Sequence, residues 1–416
     1  MTIAPTRPNG TSRAAPLSGV TVIEVSAYVA TPLAGLTLAQ LGADVIRVEP
    51  MGGQTDRTRM PVAADGTSMY WAGLNKGKRA VEVDLRLAEG RGLIANLVKG
   101  SGPQGGIVVT NTTKLPELAP EALRKLRPDL IHVLLNGRRD GSTGVDYTVQ
   151  ASVGLHEITG PLGTAGPVND VLPFWDITSG LYLATAVLAA ERHRMLTGEG
   201  QSVVVALQDI AMSALGNLGY LTEAQVTGVP RGRAGNYVYG TFGRDFATSD
   251  GRRIMLVVIT ARHWTQLLEA TGLIDVVAAL EKSLDLDFRI ENTRYECREL
   301  LGGLLAQWFE RRTHDRAVDA LSATSVLSST YRTLGEIVAN DAAILAADPL
   351  FNQIDHEGIG QHYAAGSPII LDGVQVPAMV SPRVGQHTDD VLGEMLGFST
   401  EKLDDLRTRG VIRVNS

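Results

Sequence analysis

Cysteine is nearly absent from this sequence, which has a single one, Cys297, among 416 residues. One thiol excludes an internal disulfide framework and cysteine-based zinc sites, and it is typical of a protein of the reducing cytoplasm. Positive charge is not in excess either, because 38 lysines and arginines face 45 acidic residues, for a net charge of −7. We therefore expect no nucleic-acid partner, although this balance leaves room for a local basic pocket.

Long apolar runs and the common nucleotide and metal motifs are also missing. The longest apolar stretch, residues 181–190, is too short to span a bilayer, so we predict no membrane partner. No G-x-G-x-x-G follows the first predicted strand, and neither a Walker A nor a G-x-S-x-G pattern occurs. The eight histidines show no metal-ligand spacing. These absences disfavour a dinucleotide enzyme and a serine hydrolase, and we predict no metal.

Strand and helix patterns alternate through the first half of the chain. Residues 20–25 predict a buried strand, residues 32–41 a helix, and residues 43–49 a second strand. Further strands are predicted at residues 80–85, 106–110, 130–135 and 203–206, and further helices at residues 89–98, 120–126 and 209–222. This order predicts an α/β fold with a mostly parallel sheet that helices cover on both faces.

Several polar or ring-bearing residues follow the predicted strands directly. Tyr28, Pro50, Asn111 and residues 136–139 each stand just after a strand. Because the carboxyl ends of parallel strands meet at one edge of a sheet, we expect these residues to share a common rim. Ligands of open parallel sheets bind at such a rim.

Composition divides the chain into four segments. Residues 1–15 are polar and lack an apolar core, so we expect a flexible tail and not a signal peptide. Residues 16–227 form the first part of a large domain, which ends at a stretch rich in Gly and Arg. Residues 228–334, with a hairpin followed by helices, predict a smaller α+β domain. Residues 335–416 are expected to return to the large domain and to contain a last helix at residues 389–396.

Asp176 is predicted at a strand-to-helix junction, just before a long apolar helix. A carboxylate there would face the unpaired N–H groups and the positive dipole end of the helix. That setting would keep it ionised and aim backbone donors at whatever bonds to it. An ordinary N-cap aspartate has the same signature, so this segment alone leaves a reactive carboxylate and a structural cap both open.

Two basic segments are candidates for binding an anion. Residues 74–79 carry three cations in four residues beside a glycine, and residues 136–141 contain paired arginines at the end of a buried strand. Such clusters suit phosphate or carboxylate groups. Solvated surface loops have the same composition, so neither segment is specific by itself.

A set of segments spread over nearly the whole chain occurs in a characteristic order and spacing. The set consists of residues 17–20, residues 41–49, residues 75–79, the Asp-Tyr pair at 146–147 with Gln150, Asp176 with Gly180, residues 197–201 and residues 385–389. In order and spacing this set resembles the class III CoA-transferases, the family that also includes the 2-methylacyl-CoA racemases.

The resemblance implies a Rossmann-like large domain formed by both chain ends, a smaller inserted α+β domain, and a homodimer whose subunits interlock like linked rings. It also implies that Asp176 is the catalytic nucleophile. Its carboxylate would attack an acyl-CoA thioester and pass through a mixed anhydride to an aspartyl-CoA thioester, from which an acceptor carboxylate takes the CoA. The implied partners are an acyl-CoA and a small carboxylic acid, with coenzyme A as co-substrate and no other cofactor.

The resemblance further implies where CoA and the acid bind. The implied CoA contacts lie at the predicted rim and in the two basic segments: Val29, Ala30, Arg47, Leu74, Asn75, Lys76, Lys78, Arg79, Asn111, Asn136, Gly137, Arg138 and Arg139. The implied contacts to the acid, and the loop expected to cover the intermediates, are Tyr28, Asn236, Tyr237, Tyr239, Gly240 and Arg244. For that loop, a plain lead-in to a hairpin is the alternative.

Two departures from the family pattern narrow the reaction. Val145 stands where the racemases carry a histidine before the Asp-Tyr pair, which disfavours the racemase reaction. Residues 235–246 lack the glycine run of formyl-CoA:oxalate-type transferases. They most resemble the intramolecular members, which move CoA between the two carboxyl groups of one branched C5 diacid such as mesaconate. An intermolecular transferase for another acid is the alternative, and the retained Asp176 disfavours a non-catalytic relative.

Overall fold

The computed structural model describes residues 15–340 and 342–413, so the predicted tail, apart from residue 15, falls outside the described residues. The strands are β1 (Thr21–Val25), β2 (Asp44–Glu49), β3 (Arg79–Val83), β4 (Ile107–Thr110), β5 (Ile131–Asn136), β6 (Ser202–Ala206), β7 (Phe242–Ala247), β8 (Arg253–Val258), β9 (Leu327–Thr330), β10 (Phe351–His356), β11 (Gly360–Ala365), β12 (Ile370–Leu371), β13 (Val374–Gln375) and β14 (Ile412–Arg413). The helices are α1 (Ala30–Gln40), α2 (Met69–Leu74), α3 (Ala88–Gly100), α4 (Pro120–Leu126), α5 (Asp146–Ser152), α6 (Leu155–Ile158), α7 (Phe174–Thr197), α8 (Leu207–Asn217), α9 (Tyr220–Thr227), α10 (Ala261–Thr271), α11 (Ile274–Leu284), α12 (Glu291–Glu296), α13 (Arg298–Glu310), α14 (His314–Ser322), α15 (Leu334–Asn340), α16 (Ala342–Ala347), α17 (Thr388–Leu396) and α18 (Thr400–Thr408).

The described chain divides into two compact units. The large unit contains residues 15–153, 171–221 and 342–413, and therefore includes both the first and the last described residues. The small unit contains residues 154–170 and 222–340. Its first segment comes from a region that the sequence pattern assigns to the large domain.

In the described part of the large unit, a seven-stranded sheet has the order β14-β3-β2-β1-β4-β5-β6. All neighbouring strands are parallel except β14, which pairs antiparallel with β3. The strand order reverses between β1 and β4, and ligands of open parallel sheets bind at the carboxyl ends of the strands at such a point. The predicted α/β fold with a mostly parallel sheet is thus confirmed.

Alternating side chains of the sheet reach two separate cores. On one face, Ile23 and Val25 pack with α3, α17 and α18. On the other face, Val22 packs with α1 and α7. All three side chains are essentially inaccessible to solvent, and burying a residue of this size contributes about 1.5–3 kcal/mol. Most side chains of these strands are apolar, as expected for a sheet that is covered on both faces, and the buried charged residues Glu24, Arg47 and Glu49 are exceptions.

Helices α1 and α7 approach closely because a glycine stands at their contact. A Cβ atom on Gly180 would lie 2.8 Å from the Ala30 carbonyl oxygen and 2.9 Å from the Leu33 Cβ. A side chain there would push α7 away from α1. Since Asp176 lies one turn before Gly180 on α7, this contact sets the position of the carboxylate relative to the rim of the sheet.

The small unit is built on an antiparallel sheet, in the order β7-β8-β9. Its core contains contacting aromatic pairs among aliphatic side chains. The rings of Phe246 and Phe309 stack with centroids 4.5 Å apart, and Phe242 meets Trp264 edge-on at 5.9 Å. Such pairs stabilise a core beyond the area they bury.

Parts of the fold differ from the sequence prediction. Residues 209–222 predict one helix, but α8 ends at Asn217 and α9 begins at Tyr220, after Gly219 with φ +81°. A left-handed glycine is a common helix end. Strand β9, helix α18 and strand β14 are not predicted, and β14 is too short to give a periodic signal. Across the residues that the structure describes, no helix has the length and apolar character to cross a bilayer.

Candidate active site

Asp176 is the third residue of α7, and its side chain is half-buried. The residues just before the helix, 171–173, are irregular, so the predicted strand-to-helix junction is wrong. Pro173 occupies the N-cap position and makes no side-chain cap. Because Asp176 lies inside the first turn, it is not the structural cap that its sequence context allows.

The cap of α7 is supplied by a second carboxylate, that of Asp146 at the start of α5. Its Oδ2 accepts the N–H groups of Trp175 at 2.6 Å and of Asp176 at 2.9 Å. Its Oδ1 accepts a hydrogen bond from the side-chain amide of Gln150, one turn later on α5. Asp146 is buried. The Asp-Tyr-x-x-Gln spacing therefore has a physical purpose, which is to hold the start of α7.

The same arrangement leaves the Asp176 carboxylate without a neutralising partner. In the described residues no donor hydrogen-bonds to it. Burial raises the pKa of Asp176 to about 7, the neighbouring Asp146 carboxylate acts in the same direction, and Arg59 opposes the shift. The expectation that the helix start keeps Asp176 ionised is wrong, because Asp146 takes the N–H groups. A carboxylate of raised pKa is more basic and hence more nucleophilic than an ordinary one.

Arg59 and Tyr70 also lie near Asp176, and no sequence motif identifies either of them. The Arg59 guanidinium carbon lies 5.6 Å from the ring centroid of Tyr28 and 5.0 Å from that of Tyr70. Burial raises the pKa of Tyr70 to about 12, and the Asp176 carboxylate acts in the same direction. Arg59 follows a short 3-10 turn and Tyr70 lies on the short helix α2, so only the fold brings them to Asp176.

Tyr28 stands at the predicted rim in a left-handed backbone conformation, with φ +70°. Non-glycine residues adopt this conformation rarely, and it is concentrated at functional sites. The Tyr28 N–H donates to Asp56 Oδ2 at 2.7 Å, and Asp56 is buried beside Arg47. Tyr28 itself is 48% exposed. The hydrogen bond to Asp56 thus fixes the Tyr28 backbone in a conformation that leaves the side chain exposed at the rim.

Arg47 and Lys78, which are predicted to bind CoA phosphates, are buried inside the large unit instead. Arg47 donates to Glu24 Oε1 at 2.8 Å, and Lys78 Nζ lies 2.9 Å from Glu24 Oε2. Both also donate to Asn75 Oδ1, at 3.2 Å and 2.8 Å. Burial lowers the pKa of Lys78 to about 8. Since a buried acid needs such partners, Arg47, Lys78 and Asn75 are corrected from CoA ligands to structural residues.

Lys76 and Arg79 are only partly buried. Lys76 donates to the Ala365 carbonyl at 2.5 Å and lines a cavity of about 480 Å³ between α2 and the β10–β11 hairpin. Asp176 does not line this cavity. Arg79 donates to Asp44 at 2.8 Å and to Glu394 at 2.7 Å. Binding of a phosphate by Arg79 would therefore compete with two acids.

Arg138 and Arg139 lie at the carboxyl end of β5, as predicted. Arg138 is half-buried and donates to a carbonyl oxygen of its own loop, whereas Arg139 is exposed and pairs with Asp209 at 2.8 Å. The loop folds back tightly, since a Cβ atom on Gly137 would lie 2.2 Å from the Gly144 nitrogen. Position 137 therefore requires a glycine.

The remaining predicted CoA contacts are buried or half-buried and follow or end β1, α2, β4 and β5: Val29, Ala30, Leu74, Asn111 and Asn136. Among them, Asn111 joins the ends of β1 and β4. Its Oδ1 accepts the Ala27 N–H at 3.3 Å, and its Nδ2 donates to the Ala27 carbonyl at 2.9 Å. The predicted common rim is confirmed at this point.

Tyr237 and Arg244, which are predicted to bind the acid, belong to the small unit and bond to each other. Arg244 Nη1 donates to the Tyr237 hydroxyl at 2.7 Å, and that hydroxyl donates to Glu299 Oε2 at 3.0 Å. Tyr237 is 8% exposed. Their hydrogen-bonding groups thus serve the small unit itself.

The other residues of this predicted loop also have partners in the small unit. Asn236 donates to Asp245 Oδ1 at 2.9 Å. Tyr239 donates to Glu223 and is 42% exposed. Gly240 has φ +80°, which a glycine adopts without strain. That this loop covers the reaction intermediates stays a prediction.

Comparison with known proteins decides the family. Residues 17–388 match the model of CoA-transferase family III. The chain belongs to CoA-transferase family III. It is therefore an enzyme of a family that uses coenzyme A as co-substrate.

Relatives in this family are similar over nearly their full length. The 2-methylfumaryl-CoA isomerase of Chloroflexus aurantiacus is 44% identical, over 95% of this chain and 97% of that protein. The succinate–glutarate CoA-transferase of Agrobacterium fabrum is 30% identical, over 92% and 96%. The crystal structure of a CaiB/BaiF family protein from Brucella suis superposes with a TM-score of 0.74 at 26% identity, over 92% of this chain and 100% of that one.

Proposed function

We propose that this family III enzyme moves CoA between the two carboxyl groups of one 2-methylfumaryl-CoA (mesaconyl-CoA) molecule, with Asp176 as the nucleophile. The observation that carries the proposal is the Asp176 carboxylate, held in the first turn of α7 without a neutralising partner and with its pKa raised to about 7. The similarity to an isomerase of this substrate supports the choice of acyl group.

The first half of the reaction transfers CoA to the protein. The Asp176 carboxylate attacks the thioester carbonyl, which forms a mixed anhydride and expels the CoA thiolate. The thiolate then attacks the aspartyl carbonyl of the anhydride, which forms an aspartyl-CoA thioester and releases the acid as a dicarboxylate. The thioester energy is conserved, so no ATP is required.

The second half returns CoA to the other end of the same acid. The second carboxylate attacks the aspartyl-CoA thioester and expels the thiolate, and a new mixed anhydride forms. The thiolate attacks the acyl carbonyl of this anhydride, which gives the isomeric CoA ester and regenerates the Asp176 carboxylate. Asp146 acts as a positioning residue, because it fixes the start of α7 and contributes to the raised pKa of Asp176.

Retention of a label distinguishes this proposal from its alternative. Mesaconyl-CoA labelled in the acyl group is incubated with the enzyme and an excess of unlabelled free mesaconate. We expect isomerisation with the label retained in the product. Extensive loss of label would favour intermolecular transfer, the activity for which the relative from Agrobacterium fabrum is named. No reaction with this ester would rule out the substrate.

We further propose that CoA phosphates bind at the rim through Arg138 and Arg139, with Lys76 as a third contact. The support is that Arg139 is exposed and that Arg138 and Lys76 are half-buried, whereas Arg47 and Lys78 are buried. Each true charged contact contributes roughly 1.5–3 kcal/mol, so neutralising it should raise the Kd for CoA by about one to two powers of ten. If all three single glutamine substitutions leave CoA affinity unchanged, the phosphates bind elsewhere.

We also propose a homodimer of interlocked subunits, which the family resemblance implies. Helix α7 supports it, because Tyr182, Met195 and Leu196 are 53%, 73% and 68% exposed on a helix whose other side is buried. Exposed apolar rows of this kind mark association surfaces. Mass photometry at nanomolar concentration should show dimers only, and an active folded monomer would contradict the interlocked arrangement.

A further inference from the structure

Arg59 is a guanidinium without a hydrogen-bond partner beside the proposed nucleophile. In the described residues its side-chain nitrogens make no hydrogen bond, although its backbone N–H donates to the Asp56 carbonyl at 3.2 Å. The residue is exposed. Its charge acts on both Asp176 and Tyr70, which places it within electrostatic range of the carboxylate.

The position of Arg59 is prepared by its neighbours. The rings of Tyr28 and Tyr70 lie near its guanidinium, and cation–π contacts of this kind hold an arginine without using its N–H groups. Asp56 anchors the backbone of both Tyr28 and Arg59. The buried Tyr70 hydroxyl has no hydrogen-bond partner within the described residues. The N–H donors of the exposed Arg59 guanidinium are thus left for an external acceptor.

The neighbouring arginines do not share this property. Arg47 is fully buried and bonds to acids and amides of the large unit. Arg57 donates to Glu49 at 3.0 Å and lies 3.5 Å from the centroid of the Trp71 ring. Each of these guanidiniums already has an acidic partner, whereas Arg59 has none on its nitrogens.

A planar guanidinium with open N–H groups suits a carboxylate, which it can bind through two parallel hydrogen bonds. We propose that Arg59, flanked by Tyr28 and Tyr70, binds the carboxylate of the diacid substrate that is not joined to CoA, and thereby selects dicarboxylyl-CoA esters over monocarboxylic ones. This inference rests on the proposed function. When CoA moves to the other end of the acid, the carboxylate that lost it takes the same place on Arg59.

The test compares a diacid ester with a monoacid ester of the same shape. The diacid is mesaconyl-CoA, followed by isomerisation. The monoacid is 2-methylcrotonyl-CoA, in which a methyl group replaces the free carboxyl group, followed by formation of the aspartyl-CoA adduct in intact-mass spectra. The variants are Arg59→Gln and Arg59→Lys, with Arg316→Gln as a control that removes one exposed positive charge in the small unit.

We expect Arg59→Gln to lower kcat/KM for mesaconyl-CoA by about 10²–10³-fold, as for the loss of a bidentate charged pair. Adduct formation from 2-methylcrotonyl-CoA should change by less than about threefold, since that ester has no carboxylate to lose. Arg59→Lys keeps the positive charge but lacks the planar pair of N–H donors of a guanidinium. Its kcat/KM for mesaconyl-CoA should therefore lie between the values of the wild type and of Arg59→Gln. Arg316→Gln should match the wild type.

Each other outcome has a defined meaning. Equal losses with both esters, or no loss with the diacid, would overturn the inference. If the wild-type enzyme does not isomerise mesaconyl-CoA, the proposed function fails, and the same comparison is made with adduct formation from succinyl-CoA and butyryl-CoA. A selective loss with succinyl-CoA would then keep the role of Arg59 while the isomerase reaction is rejected.

Discussion

Two arginine–tyrosine groups, one in each compact unit, use the same side chains in different ways. In the small unit, Arg244 donates to the Tyr237 hydroxyl at 2.7 Å, and the hydroxyl donates to Glu299 at 3.0 Å. In the large unit, Arg59 lies beside two tyrosine rings with no hydrogen bond on its guanidinium among the described residues. The two groups have the same residue types, so only the hydrogen bonds that each group makes distinguish them.

The two carboxylates at the start of α7 show the same contrast. Asp146 is buried and accepts two backbone N–H groups and a side-chain amide. Asp176, in the first turn of α7, has its pKa raised to about 7. Asp146 thus caps α7, while the Asp176 carboxylate has no hydrogen-bond donor among the described residues.

Replacing the nucleophile should have the largest effect. Asp176→Asn is expected to lower kcat by about 10⁴-fold or more, as removal of a catalytic nucleophile does. It should also stabilise the protein at high pH. The folded pKa of about 7 lies above the ordinary value of 3.8, so wild-type stability falls as the pH rises from about 4 to about 7. The variant lacks this loss and should gain roughly 2–4 kcal/mol above pH 7.

Thermal unfolding of the wild type and of Asp176→Asn at pH 5 and pH 8 checks the expected stabilisation at high pH. The difference in Tm should be larger at pH 8. A variant that keeps near wild-type turnover would refute the role of Asp176, and a difference in Tm that is equal at both pH values would refute its raised pKa.

Removing a satisfied buried charge should affect stability next most strongly. Arg47→Met leaves Glu24, Glu49 and Asp56 without their shared partner, and breaking such a buried pair costs about 3–5 kcal/mol. The matched control is Arg139→Met, whose pair with Asp209 is exposed and should cost less than about 1 kcal/mol. Denaturant unfolding measures both. Similar costs for the two variants would mean that the burial of Arg47 has no energetic consequence.

Asp146→Asn tests whether the charge of Asp146 contributes to the raised pKa of Asp176. The amide still accepts from the start of α7 but carries no charge, so the pKa of Asp176 should fall. We expect kcat to drop about 10²-fold, as for a slightly displaced catalytic group, and the acidic limb of the kcat/KM profile to move below pH 7. If kcat drops while the acidic limb of the kcat/KM profile stays at the wild-type pH, Asp146 has a purely structural role.

The smallest effect is expected from replacing Tyr237, whose hydroxyl is hydrogen-bonded within the small unit. Tyr237→Phe removes one hydroxyl from the Arg244 and Glu299 pair and should cost about 1–2 kcal/mol of stability. Turnover of mesaconyl-CoA should stay within about threefold of the wild type, in contrast to Arg59→Gln. A selective loss for the diacid would return the carboxylate-binding role to Tyr237, as the sequence predicts.

The local parts of this fold could be predicted from the sequence. The alternation of β1, α1, β2, β3, α3, β4, α4 and β5 follows from hydrophobic periodicity and helix-end residues, which are properties of neighbours along the chain. The placement of Asn111 and of Arg138 and Arg139 at the rim follows from the parallel sheet, because each stands just after a strand. The identity of Asp176 as the candidate nucleophile rests on the family pattern, which also extends along the chain.

What surrounds Asp176 was decided by the tertiary structure. Asp146 reaches the α7 N–H groups across about 30 residues of sequence, and Arg59 and Tyr70 come from a turn and a short helix with no motif. Lys78 and Arg138 look alike in the sequence, yet one is buried against Glu24 and the other lies at the rim. The burial and pairing of a charged side chain depend on which other elements pack around it. Periodicity and propensity carry no information about those neighbours, so the satisfied and the unsatisfied charges of this enzyme become distinguishable only in the folded chain.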